Sequence, residues 1–432
     1  TGKLVYNYNV NPNWLADGKF WYSVSVPGGR EYVLINPVDG SRKTGKDKKS
    51  ILPGEPGDAS GGNMNFRRRG GGNEILSPDG KKAAFIKDWN LWVRDVETKK
   101  ETQLTKDGIE NFGYATDNAG WKHSDRPILL WSHDSKKIAS FQQDQRNVSD
   151  MYLVSTNVGA PKLEAWKYPL PGDKEIAMIH RVIIDVDNAK TIRLKIPADA
   201  HRGTLSDDIS SSGTYDDNDW GADGNKLAFI STSRDHKIEK VRIADAVSGD
   251  VKEVFEEKVA TQYESGQGAI NFHYLQGSNE IIWYSERDDW GHLYLYNATT
   301  GQLKNQITKG NFVVTRLLKI DEKNRVLYFE ANGREKGRDP YFSHFYRINM
   351  DDSKLQLLTP EDGNHNISIS TDEKYFVDNY SKPDVPPVSV LRDMNGKLIA
   401  TLEKADISAL TATGWKVPEP ITVKSADGKW DL

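Results

Sequence analysis

One short turn recurs along this chain and constrains its fold more than any other feature. An apolar residue leads into a polar turn of the Asp-Gly kind, and a strand-like run follows. The turn reads NWLADGKFWYSV at 13–24, ILSPDGKKAAFI at 75–86, LWSHDSKKIASF at 130–141 and DWGADGNKLAFI at 219–230. Looser versions are YLQGSNEIIWYS (274–285), KIDEKNRVLYFE (319–330) and ISTDEKYFVDNY (369–380). Asp suits such a turn because its carboxylate accepts from nearby backbone N–H groups, and Gly because it tolerates positive φ. A second strand and hairpin follow most copies, as in LWVRDVETKKETQLT, LYLYNATTGQLKNQIT and FYRINMDDSKLQLLT. Each alternates apolar and polar residues, turns, and alternates again. Helical periodicity is scarce before residue 400, so the chain reads as an all-β array.

The turns fall at 17, 79, 134, 223, 277, 322 and 372, with gaps of 62, 55, 89, 54, 45 and 50 residues. A four-stranded propeller blade takes ~40–50 residues. The widest gap has room for one more unit, and RVIIDVDNAKTIRLKI (181–196) offers a strand–turn–strand inside it. Seven visible units and one concealed unit predict an eight-bladed β-propeller over 1–413. A lone four-stranded sheet cannot bury both faces, whereas radially packed sheets cover one another and leave short edges. The segment GWKVPEPITVKSADGKWDL (414–432) departs from the pattern. Pro418 and Pro420 read as a linker, and the strand after them as the first element of a further, truncated domain.

Composition narrows the function. The 432 residues carry a net charge of -4, so no global basic field points to nucleic acid or an anionic membrane. No apolar run approaches the ~20 residues of a membrane span, and TGKLVYNYNV lacks the pattern of a signal peptide. The absence of cysteine excludes disulfides, zinc–thiolate centres and cysteine nucleophiles. GSRKTGKD (40–47) misses a phosphate loop because Asp47 stands where the magnesium-binding hydroxyl belongs. YDDNDWGADG (215–224) lacks the sixth-position glycine and distal glutamate of a calcium loop. Neither metal nor cofactor is expected.

Several stretches together resemble a known family: LSPDGKKAAFIKDWNLWVRDVETKKETQLT, FGYATDNAGWKHSDRPILLWS, KYPLPGD, SERDDWGHLYLYN and KPDVPPVSVLRD. They are similar to the N-terminal propeller of dipeptidyl peptidase IV-like serine peptidases, of the prolyl oligopeptidase family, and most of all to its bacterial members. That resemblance implies an eight-bladed propeller capping an α/β-hydrolase domain, with the active site in a chamber between them. The propeller would admit peptides, exclude folded proteins and hold the substrate's N-terminus. The hydrolase domain would carry the Ser, His and Asp. In agreement, no Gly-x-Ser-x-Gly elbow occurs here, and neither His123, His133, His180, His201 nor the other histidines have Ser and Asp partners suggested by sequence. The chain alone is therefore expected to be inactive, and its implied partners are peptides, its own hydrolase domain and a second copy in a homodimer. The family implies a periplasmic or secreted setting.

The resemblance also directs attention to 111–132. Such exopeptidases carry two glutamates on an insert there, because a peptide's α-ammonium is a compact cation that wants several fixed acceptors. At their place this chain has Ala119, Gly120 and Trp121, with Asp117 the nearest carboxylate and Asp125 beyond it. Asp117 and the Asn118 amide are the candidates for ammonium capture, against the alternative that Asp-Asn forms a turn. Trp121 reads as chamber wall or blade core. Arg30, in VPGGREYVL (26–34), is the candidate for the arginine that the family sets against a substrate carbonyl. Arg67, Arg68 and Arg69 stand beside a glycine run as a basic loop. A free-standing propeller scaffold for protein–protein binding is the alternative to the peptidase reading.

Overall fold

The computed structural model describes residues 4–53, 73–116, 125–156, 158–200, 215–266 and 269–431. Almost all regular structure among the described residues is antiparallel β, with two four-residue helices at Lys48–Ile51 and Ser408–Thr411. Besides one two-stranded hairpin, the strands of the described residues form seven sheets of four or more antiparallel strands, at 13–45, 75–103, 112–200, 218–258, 273–306, 313–357 and 364–404, the third with six strands. These are propeller blades, and an all-β propeller is the fold class that the repeats imply.

The recurrent turn has a common structural basis. φ is positive near the end of the turn in every copy: Gly18 (81°), Gly80 (72°), Ser135 (62°), Gly224 (65°) and Glu373 (57°) directly follow the turn's Asp, while Asn279 (54°) and Arg325 (58°) immediately precede the following strand. Only the first, second and fourth use glycine, whose missing Cβ makes that region cheap. Elsewhere hydrogen bonds hold the backbone. Ser132 Oγ donates to Asp134 Oδ1 at 2.6 Å and accepts from Lys137 N at 2.9 Å, while Lys136 N donates to the same carboxylate at 3.1 Å. Ser77, Asp79, Lys81 and Lys82 repeat the arrangement, as do Ser370, Asp372, Lys374 and Tyr375. The Ser77 hydroxyl holds the Asp79 carboxyl below its ordinary range.

The chain divides into two compact units: 1–64, 310–349 and 353–432, and then 65–309 with 350–352. In the first unit, Phe20, Tyr22 and Val33 of the first sheet pack with Val377, Leu391 and Leu402 of the seventh. The seventh sheet packs on the sixth through Ile367, Phe376, Phe345 and Tyr328. Residues near the chain's start also tie to the last sheet. Val10 N donates to Asn379 Oδ1 at 2.8 Å, and Asn379 Nδ2 returns to Val10 O at 2.9 Å. In the second unit, the second to fifth sheets pack in chain order through three successive apolar clusters.

One expectation is corrected. The 181–196 hairpin is not a unit of its own: strands Met178–Asp185 and Lys190–Arg193 are the outer half of the third sheet. A two-stranded hairpin, Asp150–Ser155 with Lys162–Lys167, separates them in sequence from the sheet's second strand, Lys137–Asp144. That excursion accounts for the wide gap between turns.

Candidate functional site

Strand Lys137–Asp144 organises the region that contains the 111–132 insert. One edge pairs along its whole length with Met178–Asp185. The other edge takes two short strands: Leu130–Trp131 opposite Ala139 and Ile138, and Phe112–Tyr114 opposite Asp144, Gln143 and Gln142. The insert thus leaves and re-enters the sheet on one edge. Its base is closed by Ala115 N to Phe141 O at 2.9 Å and Ile128 N to Ala115 O at 3.0 Å.

Beneath that base lies a chain of polar side chains. Thr116 Oγ1 donates to Gln143 Oε1 at 3.2 Å, Gln143 Nε2 to Gln145 Oε1 at 3.2 Å, and Gln145 Nε2 to Asn111 Oδ1 at 3.4 Å. Thr116, Gln143 and Gln145 are buried. An amide can both donate and accept, so two glutamines in series satisfy one another where an apolar residue would orphan the threonine. Beside them Arg146 grips Asp144 with two bonds, of 2.9 and 2.7 Å, and covers the Phe112 ring at 4.1 Å. His180 meets that ring edge-on, and burial together with Arg193 pushes its pKa down, so it is neutral near pH 7.

Further along the same sheet Arg181 is fully buried. It donates to Asp199 at 2.7 Å, Tyr215 at 3.0 Å, Asn218 at 3.2 Å and the Ile230 carbonyl at 2.7 Å, and pairs with Asp217 at 3.3 Å. Five donors in a rigid fork suit such a site better than a lysine would. The third and fourth sheets are joined through it.

Of the residues singled out from sequence, Asp117, Asn118 and Trp121 lie outside the described residues, as do His123, His201 and Arg67 to Arg69. Arg30 is described: it opens strand Gly29–Asn36 at a hairpin of the first sheet, is exposed, and donates to Ser23 Oγ at 3.0 Å. It belongs to the first compact unit and the insert to the second.

One His–Asp pair that sequence did not suggest is present. His365 Nδ1 lies 2.8 Å from Asp378 Oδ1, both buried, but its Nε2 faces the Glu361 carbonyl at 3.0 Å rather than a hydroxyl. It braces the seventh sheet and lacks a nucleophile. Among the described residues no group of three or more His, Asp or Glu is placed to hold a metal, and no helix is long and apolar enough to cross a membrane. Sequence reading also missed the buried glutamines, whose one signal was FQQDQ continuing a strand that starts apolar.

A propeller bearing an insert clamped at one edge of a sheet is the class of protein defined so far. Comparison with known proteins narrows it. The family model for the dipeptidyl peptidase IV (DPP IV) N-terminal region matches residues 73–387, and the chain belongs to that family. It is similar to "Probable dipeptidyl-aminopeptidase B" of Aspergillus oryzae, with 22% identity over 384 residues, 80% of this chain and 40% of the relative. Dipeptidyl-aminopeptidase B of Aspergillus niger is 23% identical over 352 residues, 72% of this chain and 36% of its own length. The chain thus spans about two fifths of these relatives. Among solved structures, Porphyromonas gingivalis dipeptidyl peptidase 4 superposes with a TM-score of 0.67 at 17% identity, covering 98% of this chain and 57% of that one. A Bacteroides ovatus structure gives 0.65 at 22% identity, covering 96% and 54%. These likenesses show the same fold.

Proposed function

We propose that this chain is the substrate-admitting and substrate-positioning domain, 1–413, of a dipeptidyl peptidase IV-like serine exopeptidase that acts on peptides. The catalytic Ser, His and Asp belong to an α/β-hydrolase domain that 414–432 leads into. The carrying observation is the family match over 73–387 in a chain that spans about two fifths of its curated relatives. In the whole enzyme, the serine attacks the peptide carbonyl, the histidine takes its proton, and backbone donors hold the oxyanion. The propeller's part is binding: Asp117, helped by Asn118, takes the α-ammonium, Trp121 lines the chamber and Arg30 faces a substrate carbonyl. The insert base supports this role, since buried bonds from Thr116 Oγ1 to Gln143 Oε1 and from Ser140 Oγ to the Ile128 carbonyl tie both of its ends to one strand.

The test is hydrolysis of a matched pair of chromogenic X-Pro peptides by the complete gene product, one with a free amine and one N-acetylated. Cleavage of the free-amine peptide alone is expected, and Asp117→Asn should abolish it. Equal cleavage would mean that the propeller only sieves by size. Cleavage of neither would move the reading to a binding scaffold.

A second reading concerns assembly. The hairpin Asp150–Ser155 with Lys162–Lys167 exposes Tyr152, Val154 and Leu163 on one face. A contiguous apolar surface of this kind marks an interaction site, and the homodimer implied by the family is its proposed use.

A further inference from the structure

The dipeptide Asn-Gly occurs twice in the chain, at 332–333 and 395–396. In both copies the glycine has a positive φ, 84° at Gly333 and 83° at Gly396. Such a pair is chemically labile, because glycine has no Cβ to shield its nitrogen from the preceding side-chain amide. The two sites are held very differently.

Gly396 lies in the hairpin between strands Val385–Asp393 and Leu398–Lys404. Its N donates to Asp393 O at 2.9 Å, and Asn395 Oδ1 accepts from Arg347 Nη1 at 2.5 Å. Asn395 N donates to Asp393 Oδ1 at 2.9 Å, and Asn395 O accepts from Gln356 Nε2 at 2.8 Å. The nitrogen that would attack and the amide it would attack are therefore both engaged. Exposure alone would favour this site, since Asn395 is exposed and Asn332 half-buried.

Asn332 closes strand Val326–Asn332, and Gly333 opens the loop to strand Ser343–Asn349. Among the described residues Gly333 N has no hydrogen-bond acceptor, and Asn332 Oδ1, though buried, has no donor. A buried acceptor left unpaired destabilises the arrangement that contains it. One bond holds the side chain, from Nδ2 to Tyr341 O at 3.1 Å. That bond also ties the far end of the loop, where Tyr341 is 85% exposed. Gly337, Arg338 and Phe342 of the loop line a cavity with Lys382 and Pro383 of the seventh sheet.

We propose that Asn332 is a self-modification site, which converts spontaneously to aspartate or isoaspartate and thereby releases the 333–342 loop. Gly333 N gives up its proton to base and bonds to Asn332 Cγ, and the Cγ–Nδ2 bond breaks as ammonia leaves. Water then opens the cyclic imide at either carbonyl, so no oxidant or reductant is needed. Either product replaces the Nδ2 donor with a carboxylate that has nothing to donate to Tyr341 O. The inference concerns the chain's own backbone and stands apart from the peptidase reading.

The test ages the complete gene product near neutral pH and follows both sites by peptide mapping. Cutting after Arg and Lys gives VLYFEANGR (326–334) and DMNGK (393–397), and conversion exchanges an NH2 group for OH in either peptide. Asn332 is expected to convert at least about tenfold faster than Asn395, because Gly396 N must first lose a hydrogen bond. In urea the two rates should converge. Comparable rates in the folded protein, or a faster Asn395, would overturn the proposal. The second readout is cutting at Lys336, which is exposed in the loop, by a lysine-specific protease. Cutting should quicken as the chain ages and in Asn332→Asp, and stay slow in an aged Asn332→Gln variant, whose longer side chain closes the ring poorly. Equal quickening in the aged Gln variant would assign the loop's opening to another cause and overturn the release. If Asn332→Gln does not fold, Asn332→Ser, which has no amide to lose, takes its place.

Discussion

Two ribbons leave the same part of the chain and meet opposite fates. Strand Lys137–Asp144 reads KIASFQQD, and strand Asp150–Ser155 a few residues later reads DMYLVS. By composition the second is the better core strand. Yet Tyr152, Leu153 and Val154 are 63, 50 and 54% exposed, while Gln142 and Gln143 are 0 and 1% exposed. The difference lies in the neighbours. The first strand sits mid-sheet with clusters of the second and fourth sheets against its faces. The hairpin's two strands pair with each other and with no further strand among the described residues. Burial in a propeller is conferred by adjacent sheets, and polar side chains can share it if they satisfy one another.

The largest expected effect attacks that satisfied interior. Arg181→Met leaves the buried Asp217 without its cation and Asp199 with only the more distant Arg242, at 3.7 Å. Breaking a buried pair in this way costs about 3–5 kcal/mol, to be read as a lower urea midpoint. Adding Asp199→Leu and Asp217→Leu should recover most of the loss, since an apolar replacement of the whole group removes the uncompensated charges. If the single substitution is harmless, buried polar bonding does not distinguish the two ribbons.

Next comes a buried acid of the fourth sheet. Glu239 is fully buried, Thr232 Oγ1 donates to its Oε2 at 2.5 Å, and Oε1 has no hydrogen-bond partner. Burial, only partly offset by the Thr232 hydroxyl, pushes its pKa up to about 8. The folded protein therefore keeps a proton that the unfolded chain loses near pH 4.5. Its contribution to stability is fully present below that pH, declines as pH rises, and is gone above about 8. Glu239→Gln fixes the neutral form, so it should match the parent at pH 4.5 and exceed it at pH 8 by on the order of 3 kcal/mol. Denaturation curves at the two pH values decide it, and an equal difference at both would refute the assignment.

Smaller again is the amide chain under the insert. Gln143→Leu keeps the volume but orphans the Thr116 hydroxyl and one Gln145 oxygen, at a cost of about 1–3 kcal/mol. Gln143→Glu should be no better, because an acceptor-only side chain cannot donate to Gln145. A neutral Leu substitution, measured by urea denaturation, would reduce the glutamines to passive filler.

How much of this was legible beforehand follows from the range of each interaction. The seven turns were, because they are local: in five of them the positive φ falls directly after the turn's Asp, even where Ser135 or Glu373 replaces glycine. The order of strands within most sheets followed from it. The third sheet misled, because a hairpin inserted between its second and third strands looked like the spacing of an extra unit. Arg181, Glu239 and Gln143 were invisible, since their burial depends on partners up to 49 residues away in sequence, as with the Ile230 carbonyl. The two-residue hairpin turn at Asp88 and Trp89, both at positive φ, left one overlooked trace: KDWN stands where Asn-Gly would be ordinary.

The smallest expected effect on stability tests the exposed ribbon. Val154→Lys places a charge beside Tyr152 and Leu163, which share its face of a hairpin already open to water, so no cavity or buried charge results. Such a surface change should move stability by no more than about 0.5 kcal/mol. Self-association is where the same substitution should act strongly. If the hairpin joins two copies, a lysine introduced by each brings like charges into a surface otherwise desolvated, and dimer mass in sedimentation velocity should give way to monomer. A Val154→Glu variant mixed with the lysine variant should restore association. An unaltered mass for Val154→Lys would leave the apolar ribbon without a role in pairing copies. A drop in stability comparable to that of Gln143→Leu would mean that the two ribbons are not opposites, because the hairpin would then be buried against some other part of the chain.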